Sequence, residues 1–131
     1  MRKLVSVVVC CLGFAFLLSA QDDAELSKSM KSLPKAMGVL RDNKVGPDAA
    51  ASAEIIQQVF ASTESFWEKK GTTDALKWTQ EAKAAAGDLA VAAKAGDAEK
   101  AGAAFKTVAG SCRSCHEAHR EKAADGSYKI K

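Results

Sequence analysis

The chain of 131 residues is poor in the features that build sheets and in spare thiols. Beyond its first twenty residues it has no run of β-branched side chains, and its two prolines, Pro34 and Pro47, leave most of the length uninterrupted. An alanine-rich composition without strand patterning argues for helices and against a β or α/β domain. Charge of one sign is also lacking: the formal net charge is only +3, and it falls to +1 without Arg2 and Lys3. No basic tract points to a nucleic-acid partner. No acid/base pair or activated nucleophile is set out in the pattern of an enzyme, so none is expected.

Four cysteines are present, and two of them, Cys10 and Cys11, fall inside an apolar run from Leu4 to Leu18. That run follows Arg2 and Lys3 and ends at the small residue Ala20, before the polar Gln21, Asp22 and Asp23. The arrangement reads as a cleaved export signal over residues 1–20, leaving residues 21–131 as one domain with no stable membrane insertion. A membrane span needs about 20 apolar residues, which this run does not reach. Removal of the signal leaves Cys112 and Cys115 as the remaining thiols.

Those two cysteines belong to Ser111-Cys112-Arg113-Ser114-Cys115-His116, a C-x-x-C-H motif for covalent attachment of haem c, one per chain. Two thiols three residues apart share one helix face and can both reach the vinyl groups of a porphyrin. His116 is thereby carried to the iron as its proximal ligand. Rival readings are weaker. A thioredoxin-like redox pair expects a preceding strand, which is missing. Four zinc ligands drawn from Cys112, Cys115, His116 and His119 could not easily surround a tetrahedral ion from one helix. A disulfide between the two would be strained and would close a very short loop. Attachment of haem c takes place outside the bacterial cytoplasm, which agrees with a periplasmic destination.

Four helical segments house the motif. The first, from Asp22 to Arg41, aligns Leu26, Met30, Leu33, Met37 and Leu40. A second begins at Asp48, after Gly46-Pro47, and carries Ile55, Ile56, Val59, Phe60, Phe66 and Trp67 to a stop at Lys69-Lys70-Gly71. The third opens at Thr72-Thr73-Asp74 and runs to about Lys94, with Trp78, Ala82, Ala85, Leu89 and Ala92 on one stripe. Gly87 within it is tolerable at about 1 kcal/mol relative to alanine. Asp97 caps the fourth, which aligns Ala101, Phe105, Val108, Cys112, Cys115 and His116. Gly110, one turn before the motif, either makes room for the porphyrin or is a tolerated helix glycine. Short connections predict an all-α, antiparallel four-helix bundle with the cofactor among the facing side chains.

This exported bundle with C-x-x-C-H on its last helix resembles the cytochrome c-prime family, and within it the low-spin cytochrome c-556 type, over residues 22–123. The family motif continues to an aromatic residue and an arginine; Arg120 matches, while His119 stands at the aromatic place. The resemblance implies that Arg120 belongs to the proximal haem environment. It makes His119 a packing substitute or a titrating group. It also implies a methionine of the first helix as sixth iron ligand, and Met30 holds that place. Met37, roughly 10 Å further along the axis, is the lesser candidate, and either could be core filler. Pro34 removes the N–H that would bond the Met30 carbonyl, so the helix either kinks there or starts there. Trp67 and Trp78 are expected in bundle packing or at the haem edge.

Two functions follow. With His116 and Met30 both on the iron, the protein is a periplasmic electron carrier for redox partner proteins, working as monomer or homodimer. With Met30 absent from the iron or displaceable, it is a cytochrome c-prime that binds or senses the diatomic gases nitric oxide and carbon monoxide.

Overall fold

In this computed structural model, residues 22–131 are described in full and residues 2–21 as helical backbone only; the export signal expected over 1–20 therefore lies outside the fully described residues. Four helices follow one another: α1 (Arg2–Asp42), α2 (Pro47–Lys70), α3 (Thr73–Ala95) and α4 (Ala98–His119). They are succeeded by two short strands, β1 (Arg120–Lys122) and β2 (Tyr128–Ile130). Among the described residues no helix is long and apolar enough to cross a membrane.

The helix ends fall where the sequence signals place them. Pro47 opens α2 directly after Gly46, in the first-turn position where its missing N–H costs nothing. Gly71 and Gly96 close α2 and α3 in the left-handed region, at φ 69° and 70°, which residues with a Cβ avoid. The Asp97 carboxylate accepts the Lys100 amide at 3.0 Å and caps α4. These two-residue connections fold α2, α3 and α4 back on one another.

Packing follows the apolar stripes. Leu33 and Leu40 of α1, Ile56 and Phe60 of α2, Leu89 of α3 and Val108 of α4 form one buried core with a layer of alanines from α2 and α3. Each larger side chain contributes roughly 1.5–3 kcal/mol by burial. Small residues at Ala82, Ala85, Ala86 and Ala93 let α3 lie close to α2, and the Gly46 amide donates to the Ala93 carbonyl at 2.9 Å across the pair. Ion pairs of Glu64 with Lys83 and Glu54 with Lys94 tie the same two helices at their surface. The α2–α3 and α3–α4 contacts are extensive, whereas α1 packs chiefly on α2 and more sparsely.

Four details depart from the sequence reading. Helix α1 runs unbroken through Pro34, so Met30 sits within a helix rather than in a looser segment ahead of one. Ile55 is 46% exposed and belongs to the outer face of α2. Gly110 is exposed and is not among the residues that line the cavity beside the C-x-x-C-H motif. The chain after His119 forms an antiparallel hairpin with Arg120 opposite Ile130 and Lys122 opposite Tyr128. Arg120 is accordingly the first residue of a strand and not a helical residue.

Candidate haem site

A second apolar cluster, Phe66, Trp67 and Ala75, gathers Leu26, Leu76, Cys115 and Ile130 at the end of the bundle where α4 stops. Beside it lies a cavity of about 780 Å³, within the size range of small-molecule and cofactor sites. Every element except the sparse helix–helix connections supplies a wall. Met30 and Pro34 come from α1; Phe60, Thr63 and Trp67 from α2; Trp78 and Thr79 from α3; Ser111, Cys112, Cys115, His116 and His119 from α4. Arg120 and the Ser127–Ile130 stretch of the hairpin complete it.

All five residues singled out from the sequence, Met30, Cys112, Cys115, His116 and Arg120, line this one cavity. Met37 does not; it packs against the main core about two turns further along the same face of α1. A further cavity of about 660 Å³ between α1 and α2 is lined by residues such as Glu25, Lys28, Ser32, Ser62 and Lys69, and by neither cysteine nor histidine.

The chemistry of the motif residues follows from their burial. Desolvation pushes the Cys112 thiol up to about 11, and desolvation does the same for Cys115, helped by the neighbouring Cys112 and Asp74. As thiols, before any bond to a haem, both stay protonated near neutral pH, which is the opposite of the lowered values that make a dithiol redox-active. Burial, and then the positive charge of Arg120, lowers His116 below the usual histidine range. Its ring is therefore neutral near pH 7 and keeps a nitrogen lone pair for a metal. Among the described residues no group of three or more His, Cys, Asp and Glu side chains could hold a metal ion, which disfavours the zinc reading.

The surrounding side chains are arranged by local bonds. Thr63 and Thr79 donate their hydroxyls to the carbonyls of Val59 and Ala75, each at 2.8 Å, so both act as largely apolar walls. His119 packs against Trp67 and Trp78, with ring centroids 5.3 and 6.2 Å away, and its Nε2 lies 2.9 Å from the Asp74 carboxylate. Burial would raise Asp74, but the Ala75 amide and His119 outweigh it and hold the carboxyl low. His119 thus does the packing of the aromatic residue it replaces and ties the end of α4 to the start of α3. The Arg120 amide donates to the His116 carbonyl as the helix ends, and its guanidinium lies 4.0 Å from the centre of the Tyr128 ring.

One polar atom is left over. Trp67 is 4% exposed, and its indole Nε1–H has no acceptor among the described residues. Asp23 Oδ1 is also buried without a well-directed hydrogen bond, but the Lys70 ammonium stands 3.3 Å from it. A buried donor without a partner is costly and uncommon. A flat, mostly apolar group such as a porphyrin suits a cavity with these largely apolar walls. The residues present therefore fit haem c: Cys112 and Cys115 to bond it, His116 to reach its iron.

The sequence reading missed Phe60, Thr63 and Thr79 as cavity walls, since they look like ordinary stripe residues. It also missed the hairpin, although Asp125-Gly126 was a usable turn signal.

Comparison with known proteins agrees with this site. The family model described as Cytochrome C' matches residues 20–120. No curated protein matches the chain in sequence. Among solved structures, a cytochrome c' with an unusual ligand-controlled dimer dissociation is similar over 86% of this chain and 97% of its own, at 21% identity and a TM-score of 0.64. The cytochrome c' from Thermochromatium tepidum covers the same shares at 18% identity and the same TM-score. At such identities the two structures speak for the fold, a four-helix bundle, while the match to the family model spans most of the sequence, including the attachment motif. The chain belongs to the cytochrome c' family.

Proposed function

We propose that this protein is a periplasmic cytochrome c' in which Met30 is a displaceable sixth ligand, giving way to nitric oxide or carbon monoxide. Members of the family are non-enzymatic haem proteins with one covalently bound c-type haem. That group supplies a redox-active iron and a site for diatomic ligands when bound. The chain's own residues would hold it: Cys112 and Cys115 by thioether bonds and His116 through its neutral imidazole.

The observation that carries the reading is the position of Met30. It lines the cavity that His116 also lines, yet it is borne by α1, which among the described residues packs more sparsely than the other helices. Pro34 further deprives the Met30 carbonyl of its helical partner. A thioether on such a helix can reach the cavity and can also leave it at modest cost. Further support comes from the structural relative whose dimer dissociation is described as ligand-controlled.

The second reading is the low-spin c-556 type, an electron carrier in which Met30 stays on the iron in both oxidation states. It draws on the same placement of Met30 and differs in how firmly the thioether is held. Optical spectra of the ferric and ferrous protein, with and without carbon monoxide, separate the two. The displaceable ligand predicts a sulfur-to-iron charge-transfer band in the ferric form and a ferrous spectrum that converts fully under carbon monoxide. A ferrous spectrum indifferent to the gas would assign electron transfer instead, for partner redox proteins and with no open iron site.

A further inference from the structure

The family match ends at residue 120, and the hairpin begins there. This hairpin is attached at both ends of its length. Its strands pair Arg120 with Ile130 and Lys122 with Tyr128. The turn at Gly126, with φ 86°, is closed by the Ala123 amide donating to Ser127 at 2.7 Å and by Asp125 accepting from the Ser127 amide and hydroxyl. Ile130 packs on the cluster of Phe66, Trp67 and Ala75, and the Lys131 amide donates to the His119 carbonyl at 2.9 Å. The Lys131 ammonium reaches back to the Glu117 carbonyl at 3.0 Å. The hairpin is thus docked against the end of α4, and its second strand forms part of the cavity wall.

One consequence concerns Arg120. Its backbone amide donates to the His116 carbonyl, and both side chains line the same cavity. Among the described residues no carboxylate pairs with the guanidinium, and the group that meets it is the Tyr128 ring at 4.0 Å. Tyr128 itself is 56% exposed.

We propose that Tyr128 is a positioning residue for the haem: its ring holds the Arg120 guanidinium at the His116 side of the cavity, where the positive charge favours the reduced iron. The proposal rests on His116 carrying the haem iron and is independent of whether Met30 does. Strand pairing fixes the backbone of Arg120, and the cation–π contact fixes the far end of its side chain. A fixed positive charge beside the iron disfavours the additional positive charge of the ferric state, so the midpoint potential is raised.

The test is a double-mutant cycle on the holoprotein, read as midpoint potential by spectroelectrochemical titration. Arg120→Gln is expected to lower the potential, and Tyr128→Ala to lower it in the same direction by releasing the guanidinium toward solvent. Tyr128→Phe keeps a ring face and should retain the wild-type value. Tyr128→Ala placed on Arg120→Gln should add nothing further. Equal potentials in the wild type and Tyr128→Ala would overturn the proposal, as would a further drop in the double variant, since Tyr128 would then act without Arg120. Proton resonances of the Arg120 side chain, shifted by the ring in wild type and Tyr128→Phe and unshifted in Tyr128→Ala, report the contact directly. Failure of the underlying site shows differently: a haemochrome assay would find no covalent haem in the wild type, which would overturn both.

Discussion

Trp67 offers a sharp test of the apolar cluster at the end of the bundle, because its indole N–H is buried without an acceptor among the described residues. Replacing it with phenylalanine removes the donor and trims the ring. The trimmed area is roughly 40 Å², worth about 1 kcal/mol at 25 cal/mol per Å². The donor itself carries a desolvation cost of about 1–3 kcal/mol that phenylalanine does not. The two contributions oppose each other, so Trp67→Phe should leave the haem-bearing protein as stable as the wild type or up to about 2 kcal/mol more stable, measured by urea unfolding followed by far-UV circular dichroism with an unchanged slope. A loss of more than about 1 kcal/mol would refute the reasoning, because the indole N–H would then be making a bond in the folded protein.

Other expectations concern the bundle that holds the site. Gly87→Ala should raise the urea midpoint, with a gain of up to about 1 kcal/mol from helix propensity, because the atom its Cβ meets at 2.7 Å is the end of the exposed, flexible Gln57 side chain. Gly96→Ala should instead cost about 1–2 kcal/mol, since φ at 70° is strained for any residue with a Cβ. Leu89→Ala, at a fully buried position, should cost about 2–5 kcal/mol in the same unfolding assay. Glu64 is held below the ordinary carboxylate range first by its hydrogen bond to Lys83 and then by one to Gln80. Its folded value is depressed, so its contribution is present above the unfolded value near 4.5 and is lost as pH falls through the folded one. Glu64→Gln should flatten that part of the acid limb of stability against pH, and an unchanged limb would show that the Lys83 pairing is not felt.

Much of the architecture was legible because it is written locally. The caps at Gly71, Gly96 and Asp97 are single-residue signals with a steric or hydrogen-bonding cause, and each ends or starts a helix where expected. The haem-attachment residues are adjacent in sequence, so their presence on one helix face could be read directly. What escaped depends on distant contacts. Thr63 and Thr79 become cavity walls only because their hydroxyls bond their own helices and α2 and α3 meet there. The Trp67 donor is orphaned only in the folded arrangement, and nothing in its stripe reveals that. His119 was legible as a departure from a family pattern, but Asp74, its partner 45 residues away, was not. The hairpin was missed because three-residue strands carry too little alternation to be seen, and its Asp125-Gly126 turn was passed over.

The most direct test of Met30 as a displaceable ligand is the rate at which the reduced protein takes up carbon monoxide, compared between wild type and Met30→Leu by stopped flow. The wild type should bind completely but slowly, with a rate that levels off at high gas concentration because the thioether must leave first. Met30→Leu should bind faster, with a rate that keeps rising in proportion to the gas. Identical, unsaturated rates in the two proteins would show that Met30 is not on the iron, and a wild type that takes up no gas would show that it never leaves.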